Sequence, residues 1–461
     1  MAEHVHHGAP APTFSLQQLI ADSTRRVRTI GVGLSMLEIV LLILAVIGVA
    51  AVIGNMAVEG LNDLRPWTYT AVAANYVLST FMAAPILAAL LRFTRSDWRR
   101  PLSRIAEIQA ATGIVVLIFY IPLLIVIPSS EGRVTWWSNW PWGAPWLFDG
   151  VMLVLLVATG YALLWMSSMP DFAITKQQVN EGTTRHSWYT RLAANWQGNV
   201  KQWVILRMGL GVLGAFYVIL YIWMVSLLYS DFAQVLVPSW RSAVFPSFAV
   251  MSSLQSGLAI VIISMYALRR WGGLEQYLGW DYFWAISKLL LTTSLLWFYL
   301  WFSEFIIFWY GRLPDQINII EVVMFDVYIV PMLITLACNF VLPLLILMWN
   351  RVRKTVIGPT IVACIVLIGT FFDRIRIFGA GFGTEDPYAH VMDDDLIPSF
   401  VYPSVLDILI VVGCIAAAIV SVLLAMRFVP LPSIWELGGG IGLRIRKRFL
   451  NHDVPVIGKP D

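Results

Sequence analysis

Charge is scarce in this chain. Of its 461 residues only 13% are Asp, Glu, Lys or Arg, while 59% are hydrophobic, and the mean hydropathy is +0.74. A soluble domain carries about a quarter charged residues. So little charge excludes a water-soluble globular protein and leaves an integral membrane protein. Cysteine is almost absent. Cys338, Cys364 and Cys414 all lie in apolar runs without CxxC or ligand spacing, which argues against a disulfide framework or a cysteine-held cluster. Histidine is just as sparse: His4, His6, His7, His186, His390 and His452 all fall outside the apolar runs. Paired haem ligands are therefore missing from the spans, and a Gly-rich dinucleotide loop is missing altogether. The expectation is no metal site, no covalently bound cofactor and no nucleic-acid partner.

What the chain has in abundance is apolar length. A helix needs roughly twenty apolar residues to cross the hydrocarbon. Ten stretches qualify, at about 30–54, 69–91, 109–128, 147–167, 205–229, 244–268, 284–309, 321–349, 356–373 and 404–427. The runs are too long and too uniform for barrel strands. The expected fold is all-α and polytopic. Residues 69–229 would form one four-helix bundle and 244–373 a second, flanked by helices 30–54 and 404–427 and by polar tails 1–29 and 428–461. A faint echo between "ILAALLRFTRSDW" and "ISMYALRRWGGLEQY" suggests that the bundles are parallel repeats. The N-terminal "HVHH" reads as part of a solvated tail, and the first 29 residues lack a signal-peptide pattern.

Orientation follows from Lys and Arg. Alternate loops hold 22 on one side, among them Arg92, Arg95, Arg99, Arg100 and Arg104, and six on the other: Arg65, Arg133, Arg241, Arg312, Arg374 and Arg376. The positive-inside rule then places both termini in the cytoplasm, in a cytoplasmic (inner) membrane. The outer loops include the Trp-rich "EGRVTWWSNWPWGAPW" and the acidic "GTEDPYAHVMDDDLIPS". Each is either a membrane anchor or a docking surface for an extracytoplasmic partner.

Carboxylates inside apolar segments are costly and mark ion pairs or functional sites. Glu38, Asp149, Asp231, Glu304, Glu321, Asp326, Asp373 and Asp407 are of this kind. Asp373 precedes Arg374 and is expected to pair locally. Glu304 is the deepest, and with Asp326 and Asp373 it outlines a candidate proton path. Asp231 ends an apolar segment beside Tyr229, with Trp240 and Arg241 close in sequence, and is the candidate general base.

The order of short motifs resembles the NrfD/PsrC family, the membrane subunits of polysulfide reductase and related oxidoreductases, and is nearest to the ten-helix ActC-type subunit of alternative complex III. The pieces are "RFTRSDWRRPLSRIAE", "WSNWPWGAPWLFDG", "MPDFA", "YSDFAQVLVPSWRSAVFPSFAVMSSLQSGLA", "FSEFIIFWYGRLPDQ", "NFVLPLLILMWNRVRK" and "RFVPLPSIWE". The resemblance implies a menaquinol or ubiquinol site near the outer face. It also implies an extracytoplasmic iron–sulfur subunit of molybdopterin-oxidoreductase type, further membrane subunits that include a related NrfD-like chain, and cytochrome c subunits. Iron–sulfur clusters and haem would sit only on those partners. The Asp of the Asp-Phe-Ala motif carries over to Asp231. One departure stands out: the family's second span has Gly-His-Ala-Gly, and this chain has "NYVLSTFMAAP". Either Asn75, Tyr76, Ser79 or Thr80 replaces that His in a site completed by Tyr229, Asp231, Trp240 and Arg241, or the chain is a scaffold or proton-path subunit of the ActF type. A secondary transporter is the third reading, and matched Gly/Pro-broken helices in the two halves are not evident for it.

Overall fold

Pro85 sets the shape of the centre. Proline has no N–H and its ring clashes with the carbonyl four residues back. In the computed structural model the second span accordingly breaks at residues 81–83. The structure describes residues 14–29, 34–130, 135, 137, 142–179, 181, 183–384, 386, 388–389, 397–449 and 452–457.

A short amphipathic helix α1 (Leu16–Thr29) precedes the apolar α2 (Met36–Val58). The broken second span is α3 (Thr68–Thr80) and α4 (Ala84–Phe93). The third begins at α5 (Ser103–Glu107) and continues as α6 (Gly113–Val126). Then come α7 (Trp146–Gln178), α8 (Thr184–Leu192), α9 (Val200–Asp231), α10 (Phe245–Arg270) and α11 (Trp280–Gly311). Shorter pieces follow: α12 (Pro314–Ile320), α13 (Ile329–Leu336), α14 (Leu342–Leu347) and α15 (Asn350–Arg353). Long helices α16 (Ile357–Gly383) and α17 (Val405–Phe428) lead to α18 (Ile434–Leu443).

Among the described residues nine helices are long and apolar enough to cross a membrane, as an all-α polytopic protein requires. The tenth expected span, 356–373, is also helical, within the 27 residues of α16. Two details differ from expectation. The chain carries one antiparallel hairpin, β1 (Arg444–Phe449) with β2 (His452–Ile457). And the span expected at 321–349 narrows to Ile329–Leu347, because the chain makes a π-turn at Glu321–Phe325 and bends at Asp326. Several helices also overrun their apolar stretch. The 33 residues of α7 extend far past the roughly twenty that the hydrocarbon needs.

Helices α3 and α4 pack against α6 and α9, and α7 joins α6 to α9. Likewise α10 packs on α11 and α16, with α13 and α14 between them. The two groups meet where α3 touches α10 and α16. That makes the second span the most enclosed, with 89% of its apolar window buried. On the outside α2 lies along α17, and glycine sets the distance: a Cβ on Gly48 would stand 2.5 Å from Gly413 Cα. Small residues permit this approach in a bilayer, where packing replaces the hydrophobic effect between helices.

The break in the second span leaves carbonyls without their helical partners, and neighbouring helices supply donors. Tyr217 Oη donates to Met82 O at 2.6 Å, Tyr221 Oη to Leu78 O at 3.1 Å and Ser256 Oγ to Ser79 O at 2.8 Å. A broken helix is tolerated at membrane depth when its freed groups are re-satisfied in this way.

Candidate functional site

Asp231 is the last residue of α9 and is buried. Its Oδ2 accepts the indole N–H of Trp137 at 2.9 Å, and that indole stacks on Phe148. Close enough to feel its charge lies Asp149, in the first turn of α7. Asp149 is 0% exposed, and neither of its carboxylate oxygens has a hydrogen-bond partner among the described residues. A buried carboxylate without donors is costly. The place of Asp149 at the start of an apolar segment does not set it apart from the other acids of that kind. Only the pairing of α7 with α9 brings it beside Asp231.

The second-span residues are buried, and the polar side-chain atoms of Asn75, Ser79 and Thr80 are engaged. Asn75 Oδ1 accepts from Tyr120 Oη at 2.6 Å, and its Nδ2 donates to Ala71 O at 2.9 Å. Thr80 Oγ1 donates to Tyr76 O at 2.6 Å, and Ser79 Oγ donates to the same carbonyl at 3.2 Å. The Tyr76 ring packs edge-on against Phe371. The Tyr229 hydroxyl is buried without a hydrogen-bond partner among the described residues, while the Arg374 guanidinium sits over its ring, 5.1 Å from the centroid.

A cleft of about 620 Å³ opens between the end of α9 and the start of α10. Ser230, Gln234, Trp240, Arg241 and Ser242 are among the residues that line it. Arg241 is exposed at this cleft and Trp240 is buried. The cleft reaches Ser230, the chain neighbour of Asp231, but Asp231 itself, Tyr229, Asn75, Tyr76, Ser79 and Thr80 are not among the residues on its wall. Most of the Trp-rich loop 131–141 and of the acidic segment 385–396, His390 included, lies outside the described residues, as does the N-terminal "HVHH".

Where the two helix groups meet, α16 carries an ion cluster. Asp373 binds Arg374 and Arg376, each at 2.7 Å, and all three are buried. Arg374 also donates to Ser79 Oγ at 3.3 Å and to Ser252 Oγ at 3.2 Å, tying α16 to α3 and α10. Deleting one member of such a cluster costs about 3–5 kcal/mol, because a charge is left buried without its partner. Local pairing of Asp373 with Arg374 was the sequence expectation, and Arg376 extends it.

Glu304 is buried on α11 and accepts the Trp240 indole N–H at 3.1 Å. It lines a small cavity together with Arg376, which pairs with Asp373. Asp326 does not join them. It is exposed at the bend after the π-turn, and no hydrogen bond or ion pair among the described residues links it to Glu304.

The largest polar network lies at the opposite end of the molecule. Glu436 on α18 takes Arg92 at 2.8 Å and Arg99 at 3.1 Å, and Arg92 also pairs with Glu107. Arg104 binds Asp171 at 2.8 Å, and Ser167 Oγ donates to Glu107 at 2.6 Å. Reading the Arg residues only as loop charges missed this network. Its signal was the recurrence of Arg, Glu and Asp in "RFTRSDWRRPLSRIAE", "MPDFA" and "RFVPLPSIWE".

No protein-family model matches the chain, and a search of curated proteins finds no match to it.

Proposed function

We propose that the chain is an integral membrane subunit of a respiratory or photosynthetic electron-transfer complex. It binds menaquinol or ubiquinol near the outer face, and the electrons leave to an extracytoplasmic iron–sulfur subunit of molybdopterin-oxidoreductase type. A related membrane subunit and cytochrome c subunits complete the assembly, with both termini of this chain in the cytoplasm.

The observation that carries this reading is the pair Asp149 and Asp231. Both are buried at the ends of two helices that pack together, α7 and α9, and Asp149 lacks hydrogen-bond donors among the described residues. Hydroxyl donors from a bound molecule would satisfy it; the cleft that ends at Ser230 has the volume for a quinone ring, and the two acids lie behind its wall. When bound, a quinol supplies two electrons and two protons. The protein supplies the acceptors: Asp231, oriented by Trp137, takes a hydroxyl proton as general base, and Asp149 is the second acceptor. Trp240 and Arg241 form the wall and mouth of the cleft.

A second reading has its own support. Asn75, Ser79 and Thr80 spend their polar atoms within the protein, and no His stands among them. A scaffold or proton-path subunit of the same complex fits that. Asp231→Asn and Asp149→Asn in the intact complex separate the two readings. Quinol-linked turnover falls by roughly a hundredfold if the acids act as bases, with assembly kept. Normal turnover in both variants leaves the scaffold reading.

A further inference from the structure

Trp240 stands between two spaces. One face borders the open cleft at the end of α9. The other borders the cavity that holds Glu304 and Arg376, about 10 Å³ in size, close to the room that one water needs. Among the described residues no other lines both. We propose that Glu304 exchanges its proton with the water of the outer compartment through this cleft, and that the Trp240 indole is the side chain that closes the passage. The proposal does not rest on quinol binding.

Trp240 Nε1 donates to Glu304 Oε1 at 3.1 Å, so the indole both covers the carboxylate and holds it. Ser242, on the cleft wall, accepts the backbone N–H of Phe245 at its Oγ, 3.2 Å away, and so fixes the start of α10 beside the indole. Residues 237–244 form an irregular connection between α9 and α10, so the indole can swing without unwinding a membrane helix. Its ring leans on Phe245, 4.6 Å between centroids, which gives the closed position a seat. The charged groups facing Glu304 are Arg376 and, through it, Asp373. Arg376 can hold the Glu304 carboxylate after the proton has gone. In the exchange the O–H bond of the Glu304 acid breaks, the electron pair stays on the carboxylate, and the proton passes to a water in the cleft.

The test uses the full-length chain in sealed vesicles of known orientation. A water-soluble carbodiimide with glycine methyl ester is added on one side, and the amide formed at Glu304 is read by peptide mass spectrometry. Slow labelling of the wild type from the cleft side alone is expected. Trp240→Ala raises it severalfold, Trp240→Phe keeps the plug and stays near wild type, and Glu304→Gln abolishes it. Labelling from the opposite side, or equal labelling in the wild type and Trp240→Ala, overturns the proposal. If Trp240→Ala does not accumulate, the sidedness in the wild type decides.

Discussion

Asp171 caps a helix that begins 263 residues later in the chain: its Oδ1 accepts the backbone N–H of Ile434 at 3.1 Å and that of Trp435 at 3.0 Å. The first N–H groups of a helix have no partner within it, and a carboxylate there also meets the positive end of the helix dipole. Asp171 Oδ2 meanwhile accepts from Ser433 Oγ and pairs with Arg104. One side chain thus anchors α18 to α7 and neutralises a buried guanidinium.

Asp171→Ala is therefore expected to destabilise the protein by about 3–5 kcal/mol, the range for breaking a buried pair and stranding its partner. Thermal unfolding in detergent checks it. Asp171→Asn can still accept N–H bonds and should lose less. Equal loss in the two variants would mean that the cap contributes nothing.

Acid should release the same helix. Burial works against the charge of Glu436, but the guanidinium groups of Arg92 and Arg99 outweigh it and hold the carboxyl below the usual glutamate range. A carboxyl lowered in the folded state contributes stability that is full above its unfolded value and is lost as pH falls through its folded value. Hydrogen exchange over Ile434–Leu443 should accordingly rise in acid below the ordinary glutamate range. In Glu436→Gln that acid-induced rise should flatten, from a higher baseline.

The contact of Gly48 with Gly413 admits no side chain. Gly413→Val should push α2 from α17 and cost about 1–3 kcal/mol, the usual range for overpacking. A cysteine pair placed across the two helices should then cross-link less readily than in the parent. Unchanged cross-linking would mean that α2 is held by Glu38 and Arg427, which pair at one end, and not by the close approach.

Topology is open to a direct check. Single cysteines at 142–145 should react with an impermeant reagent outside sealed cells, and cysteines at 185–191 should not, since Lys and Arg divide 22 to six across the loops. Labelling of 185–191 from outside would reverse the orientation and with it the placing of Asp231 near the outer face.

Much of this protein could be read along one dimension. Membrane residence and the positions of the spans follow from apolar length, because the bilayer demands the same length at every crossing. The short reach of Asp373 to Arg374 is likewise local, set by adjacency in the chain, whereas the break before Pro85 interrupts the continuous span expected at 69–91. Asp326 shows where such reading fails: hydropathy placed it in a span, and the backbone bends there instead. Which buried acid meets which partner was decided only by helix packing. Asp149 stands beside Asp231 because α7 packs on α9, and Glu304 lies under Trp240 because α11 packs on α10. Arg92, Arg99, Arg100 and Arg104 looked like loop charge until α18 and Ser433 before it folded back onto them. Apolar length is a property of each segment alone, whereas an ion pair belongs to two segments, and their meeting is settled by the packing of all the helices together.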